Sequence, residues 1–258
     1  MNQLSVSIIA QNEEENLPRV LESIGGVADE VVVVDGGSTD RTLEVAREHG
    51  AKVFCRAFTN HADQKNYAAS LASHEWILLL DADEQLSAEL RRCLQEWKIG
   101  PAKFSVYEMP RLTWYLGAWI HHSRWYPDYQ RRLYRRDKTK FSGVIHSALD
   151  YRGRIGRLRG DILHYTIRTF PEHEAKLEKY TTAIAKEMFD QGERNWRAAM
   201  WVAAPWSWLR HFLLSAGFLD GYRGALIAQM AARGVRLKYR KLGDLVKAEE
   251  NSRRARAK

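Results

Sequence analysis

Two hydrophobic periodicities run through the first hundred residues and alternate. Short apolar runs at 4–10, 31–34 and 76–80, with a weaker one at 52–55, predict strands. The run Trp76-Ile77-Leu78-Leu79-Leu80 has no polar break, which marks a strand buried on both faces. Between the strands, apolar residues recur at helical spacing. Leu17, Val20, Leu21 and Ile24 form one such face, closed by Gly25-Gly26, and Leu90, Leu94 and Trp97 form another within 87–97. A second helix is predicted to start at caps among Ser38–Asp40 and end near Gly50, and a short one to span 63–72. This alternation is the pattern of an α/β fold with a mostly parallel sheet flanked by helices. Further on, 104–109 reads as a strand. Thr169-Phe170-Pro171-Glu172 reads as a capping box ahead of a helix with Leu177, Tyr180, Ile184 and Met188 on one face.

Three predicted strands end in acids: Glu13, Asp35 and the Asp81/Asp83 pair. In open α/β sheets ligands bind outside the carboxyl ends of strands. Asp81 and Asp83 repel each other unless a cation lies near, and hard divalent ions such as Mg²⁺ take one or two carboxylates plus substrate phosphates. The same acids also fit a turn that merely precedes a helix capped by Ser87, and Glu13–Glu15 suit a helix dipole. No G-x-G-x-x-G follows the first strand and no G-x-x-x-x-G-K-[ST] occurs. A dinucleotide dehydrogenase and a P-loop enzyme are therefore disfavoured.

Composition narrows the partners. With 258 residues, 45% of them hydrophobic, the chain can bury a core, and its net charge of +8 points to an anionic partner. Cys55 and Cys93 fit neither a metal spacing nor a disulfide framework. A reducing compartment is therefore expected, and the N-terminus reads as a strand rather than a signal peptide.

The stretches 7–14 (Ser-Ile-Ile-Ala-Gln-Asn-Glu-Glu), 31–40 (Val-Val-Val-Val-Asp-Gly-Gly-Ser-Thr-Asp) and 80–83 (Leu-Asp-Ala-Asp), in this order and spacing, resemble the family 2 glycosyltransferases with a GT-A fold. The likeness is strong over roughly the first hundred residues and weaker to about residue 240. The segments 126–133 and 143–146 resemble the bacterial branch that adds sugars, in its best-known members β-1,4-linked glucose, to the lipopolysaccharide core. The resemblance implies that Ala10, Gln11 and Glu13 line a nucleoside pocket and that Asp35 contacts the base. Lys65 would lie near the diphosphate and Asp81 at the ribose. Ala82 lies within the Asp-Ala-Asp motif, whose Asp83, with Asp81 beside it, would hold Mg²⁺ or Mn²⁺. Gln11 stands where many members have Tyr, and Ser147 where the closest branch shows Glu. His146 and His164 each adjoin an apolar run; either suits a third metal or diphosphate contact, with His146 favoured by its setting.

An inverting transferase needs a base for the acceptor hydroxyl. The family generally uses a carboxylate after the metal motif, often just before an Arg-Leu pair. Asp128 stands four residues before Arg132-Leu133, with Trp and Tyr nearby to exclude water, although Pro-Asp is also common in turns. Asp150, Asp161 and His146 are rivals. The aromatic segment 114–129 suits an acceptor loop, and a buried aromatic cluster is the other use of such residues. Arg131, Arg132, Arg135 and Arg136 form either a solvated strand face or a phosphate-recognition group. Residues 198–219 are apolar but broken by Pro205, Arg210 and His211. They suit a membrane interface better than a span, and the basic residues beyond favour an anionic leaflet.

The expected organisation is a GT-A catalytic domain over 1–168, with a nucleotide-sugar half at 1–100 and an acceptor half at 101–168. An amphipathic, membrane-associating helical extension follows over 169–258. The expected activity is transfer of a hexose, glucose foremost, from a UDP-type nucleotide sugar to a lipopolysaccharide-core or related glycolipid acceptor. The expected place is the cytoplasmic face of the inner membrane, without nucleic acid. A polyprenyl-phosphate acceptor is the alternative in the same class. A nucleotide-sugar pyrophosphorylase would want a Gly-rich N-terminal loop that 11–14 lacks. A non-enzymatic peripheral membrane protein would leave the acidic strand ends unexplained.

Overall fold

The structure, a computed structural model, describes residues 1–143 and 147–256. Its elements, in order, are β1 (Leu4–Ala10), α1 (Leu17–Ser23), β2 (Glu30–Asp35), α2 (Thr42–Glu48), β3 (Lys52–Cys55), α3 (His61–Leu71), β4 (Trp76–Asp81), β5 (Glu84–Leu86), α4 (Ala88–Ile99) and β6 (Val106–Tyr115). There follow β7 (Ala118–Ile120), β8 (Asp128–Arg135), β9 (Lys140–Ser142), β10 (Ala148–Asp150), β11 (Gly156–Arg157), β12 (Ile162–Ile167), α5 (Phe170–Asp190), α6 (Arg197–Leu209) and α7 (Tyr222–Arg256). Contacts divide the chain into two units. One comprises Met1–Thr113 and Pro127–Thr166, the other Trp114–Tyr126 and Ile167–Lys258. Residues 114–126, expected in the acceptor half of a domain ending at 168, thus group with the C-terminal helices.

The first unit is built on a mixed sheet ordered β3-β2-β1-β4-β8-β6-β12-β5. β3, β2, β1 and β4 run parallel, and β8 reverses direction against β4. The centres of β1, β2 and β4 are mostly apolar because helices cover both their faces. Val33, Leu78 and Leu80 point into one cluster with Leu17, Val20, Leu21, Val45, Leu90 and Leu94 from α1, α2 and α4. Their neighbours Ile77 and Leu79 point the other way, packing with Ala62 and Ala69 of α3, while Val32 and Val34 meet Ala68. Successive side chains on a strand face opposite sides, so one unbroken run serves both layers.

Strand order positions the acids. β1 lies between β2 and β4, with Ala10 opposite Asp35 and Ile9 opposite Asp81. Consecutive βα units leave β1 in opposite directions across the sheet, the topological switch point at which α/β sheets open a crevice. Some sequence expectations shift. Glu13–Glu15 lie in the turn before α1 rather than in its first turn. The predicted strand at 104–109 runs on to Tyr115, and β5 was not anticipated.

In the second unit the capping box at Thr169 and Glu172 forms as predicted. The buried residues of α5 are His173, Thr181 and Ala185; Tyr180, expected on the packed face, is exposed. After α6, whose Pro205 lies within the helix, the chain makes a π-helical turn, Arg210–Leu214, and a 3₁₀ turn, Gly217–Asp220. Among the described residues no helix is long and apolar enough to cross a membrane.

Candidate active site

The loops after β1 and β2 are laced together. Asn12 adopts a left-handed conformation (φ 55°) that a short amide side chain tolerates. Its N–H donates to Ser38 Oγ at 2.8 Å, and its Oδ1 accepts from Thr39 N–H at 2.8 Å. Asp35 is buried, and its carboxylate accepts from the N–H groups of Gly37 (2.8 Å) and Ser38 (2.9 Å) and from the Ser38 hydroxyl. Ala10 C=O accepts from Gly36 N–H at 2.8 Å, and the exposed Gln11 amide reaches Gly36 C=O at 3.4 Å. Glu13 donates its N–H to Thr42 Oγ1 (2.8 Å) and accepts from Asn16 Nδ2 (2.6 Å). Glu13 and Asp35 therefore brace the loops after β1 and β2, where Ala10 is buried and Gln11 exposed.

The acids after β4 behave differently from one another. Asp81 meets two cations: Arg132 Nη2 on Oδ2 at 2.6 Å and Lys65 Nζ on Oδ1 at 3.3 Å. Burial would raise its pKa, but the Arg132 and Lys65 charges outweigh that and hold the carboxyl far below the ordinary range. Lys65, packed in α3, is itself lowered, first by burial and then by Arg132, with Asp81 opposing. Glu84 is fully buried. It accepts from Asp81 N–H (3.0 Å), Arg132 Nη2 (2.6 Å) and Arg111 Nη1 (3.2 Å). Burial would lower Arg132, and Asp81 and Glu84 together raise it above its usual value. A buried arginine between two acids is the compensated form of an otherwise costly charge.

Arg111 carries the chain of charges onward to Asp128. The two face each other in register on β6 and β8, with Nη2 and Nε at 2.6 and 3.0 Å from Asp128 Oδ2. Asp128 Oδ1 accepts from Gln130 Nε2 at 2.8 Å. The hydrogen-bond partners of Asp128 among the described residues are thus a cation and an amide. The four arginines expected as one group disperse. Arg132 turns inward; Arg135 pairs with Glu75 and Asp137; Arg136 donates to Ala72 C=O; Arg131 reaches Leu149 C=O at 3.4 Å.

Asp83 is free of that network. Its Oδ2 lies 3.3 Å from His164 Nε2. Antiparallel pairing of β5 with β12 sets this, placing His164 opposite Glu84 and hydrogen-bonding Tyr165 N–H to Asp83 C=O at 3.0 Å. His164 Nδ1 is buried without a hydrogen-bond partner among the described residues. His146, favoured from sequence, lies outside the described residues. Among the described residues no cluster of three or more His, Cys, Asp or Glu forms a metal cage. Asp83 with His164 is a two-donor arrangement, which leaves oxygen ligands to a substrate. Ala82, nearly fully buried, spaces the two aspartates so that one faces the cations and the other His164.

Sequence reasoning missed Glu84 and set His164 second. A signal for Glu84 existed: two arginines on half-buried strands, Arg111 and Arg132, require an acid between them. In the second unit, part of the aromatic segment packs into the interior. Tyr115 and Ile120 are fully buried with Ile167 and Ile227, while Trp114 stacks edge-on to Trp119 with ring centroids 5.0 Å apart.

A mixed α/β sheet with acids gathered at the switch point is the frame of nucleotide-sugar transferases with a GT-A fold. The family model of glycosyl transferase family 2 matches residues 5–153, and the chain belongs to that family. It is accordingly a glycosyltransferase. An uncharacterized glycosyltransferase of Rickettsia typhi is 30% identical over 95% of this chain and 88% of its own length. The lipopolysaccharide core biosynthesis glycosyltransferase LpsC of Rhizobium meliloti is 28% identical over 89% and 90%. Among solved structures, glucosyl-3-phosphoglycerate synthase of Mycobacterium tuberculosis, in complex with Mn²⁺, UDP and glucosyl-3-phosphoglycerate, matches 42% of this chain and 43% of its own. Its identity is 21% and its TM-score 0.36.

Proposed function

We propose that this glycosyltransferase moves a hexose, glucose foremost, from a UDP-sugar to a hydroxyl of a lipopolysaccharide-core or related glycolipid, with inversion. The observation that carries the donor reading is the division of labour after β4. Asp81 is neutralised by Lys65 and Arg132, while Asp83 is left with His164. Similarity to LpsC along most of both chains supports the acceptor class.

In this reading Ala10, Gln11, Glu13 and Asp35 frame the nucleoside and Asp81 and Ala82 border the ribose. Asp83 and His164 hold Mg²⁺ or Mn²⁺, an arrangement that suits an ion completed by diphosphate oxygens. The ion, when bound, supplies positive charge to the departing diphosphate. Lys65 adds to that charge from beside Asp81. Asp128 takes the acceptor proton as the hydroxyl oxygen attacks the anomeric carbon and the bond to the diphosphate breaks. Arg111 grips Oδ2, so Oδ1, on the Gln130 side, is the oxygen that receives the proton.

The chain works as a peripheral protein at the cytoplasmic face of an anionic inner membrane. Trp201, Trp206, Leu214, Leu219 and Tyr222 are exposed, and tryptophan suits the bilayer interface.

A hydrolysis screen over UDP-, GDP- and ADP-sugars with Mn²⁺, with and without EDTA, tests the donor. UDP-sugar turnover is expected, lost in EDTA and in Asp83→Ala. Asp128→Asn should bind UDP normally while transfer falls by roughly 10²-fold or more. Full activity of Asp83→Ala, or normal transfer by Asp128→Asn, overturns the corresponding assignment.

A further inference from the structure

The second unit contains a cavity of about 470 Å³ along α6 and α7, within the size range of ligand sites, about 300–1,000 Å³. Phe170, Trp208, Leu226 and Met230 supply apolar wall, and Arg233 and Arg236 lie at its edge. The arginines are not equivalent. Arg233 Nη1 pairs with Glu174 at 2.5 Å, whereas exposed Arg236 has no ion pair or hydrogen bond among the described residues. One acid against two guanidinium groups leaves net positive charge beside an apolar groove.

The same helices carry the exposed side chains Trp201, Val202 and Trp206, and the following turn carries Leu213 and Leu214. A groove lined by apolar side chains and by an arginine without an ion pair, on helices that also expose tryptophans, has the chemistry of a lipid: hydrocarbon for the walls, phosphate for the guanidinium. Arginine is suited to the second role because its planar fork matches phosphate oxygens, and its stem can lie along the apolar wall.

We propose that this groove binds one anionic membrane phospholipid, with an acyl chain against Phe170, Trp208, Leu226 and Met230 and the phosphate on Arg236 and Arg233. The inference rests on the peripheral-membrane reading above and deepens it. Attraction to a charged leaflet is diffuse, whereas a groove holds a countable lipid.

Native mass spectrometry of the full chain in non-ionic detergent, with phosphatidylglycerol or phosphatidylcholine added, counts bound lipid directly. One phosphatidylglycerol per chain is expected, at least tenfold favoured over phosphatidylcholine, and glycerol phosphate should neither bind nor displace it. Displacement by glycerol phosphate would instead mark a soluble phosphate site and overturn the proposal. Gln229→Trp, placed at an exposed residue lining the groove, should plug it, and Arg236→Glu should remove the headgroup contact. Each should lower the bound fraction at least tenfold with an unchanged circular dichroism spectrum. No lipid on the wild type, or wild-type occupancy in both variants, overturns the groove. Flotation on vesicles is scored separately. Flotation without a counted lipid refutes the groove alone, and a counted lipid without flotation supports the groove while refuting the membrane reading.

Discussion

Glu30 opens β2 with a carboxylate that is almost wholly buried and fully used. It accepts from Lys52 Nζ (2.6 Å), Ser5 Oγ (2.5 Å), Ser73 N–H (2.7 Å) and Ser73 Oγ (2.7 Å). Burial would raise its pKa; the hydrogen bonds from Lys52, Ser5 and Ser73 reverse that and hold it at about 2, against an ordinary 4.5. The folded value is the lower one, so the unfolded chain binds the proton first as pH falls. The stabilisation is complete above 4.5 and disappears as pH drops towards 2. Glu30→Gln should lower stability at neutral pH by about 1–3 kcal/mol, the scale of a buried hydrogen bond to a charge. Urea melts of both proteins from pH 7 to pH 2 check this: their difference should shrink through that window, and a constant difference refutes the linkage. Asp81 follows the same sign through Arg132 and Lys65, which makes the candidate site a source of acid sensitivity as well as of chemistry.

Elements meet closely where α7 begins. A Cβ on Gly224 would lie 1.7 Å from Gly217 C=O, so the first turn of α7 touches the 3₁₀ turn backbone to backbone. That turn ends at Asp220, whose carboxylate accepts from the N–H groups of His121 (3.2 Å) and His122 (3.1 Å) and from the Ser123 hydroxyl (3.1 Å). Ser123 and Arg124 both have positive φ, 58° and 63°, a strained conformation that this carboxylate helps to fix. Gly224→Ala must displace the turn, and with it the anchor of 121–124. A loss of about 1–3 kcal/mol, the usual cost of overpacking, is expected in thermal or urea unfolding. An unchanged midpoint would show that the two backbones separate freely.

Across the whole molecule, the net charge of +8 and the exposed tryptophans predict two components of membrane binding that salt can separate. The screening length falls from about 10 Å at 0.1 M ionic strength to about 3 Å at 1 M, so the electrostatic component fades over that range. The full chain should float with phosphatidylglycerol vesicles at low salt and progressively less as salt rises. A smaller, salt-insensitive fraction should float with neutral vesicles through Trp201 and Trp206. Equal flotation on neutral and anionic vesicles would count against the electrostatic component.

Local pattern determined the parallel half of the fold. Unbroken apolar runs such as Trp76–Leu80 can be satisfied only by cover on both faces, and helical spacing between them supplies that cover. The caps at Ser87 and Thr169 are equally local, since each side chain bonds an N–H three residues on. The family, too, was legible, because its motifs lie at the ends of those strands. What the sequence left open depended on pairing between distant segments. Glu84 acquires its place from Arg132 and Arg111, 48 and 27 residues away in the chain. His164 reaches Asp83 because β12 pairs with β5, a three-residue strand too short for its own periodicity to announce. Four arginines in one run look alike on paper. Strand alternation and the Asp81/Glu84 pair select Arg132 for the interior and leave the others outside, since desolvating a charge is tolerable only where opposite charge already waits. Sequence periodicity fixes which faces are apolar. Tertiary structure decides which charges meet, because that depends on strand order and register, which no local pattern encodes.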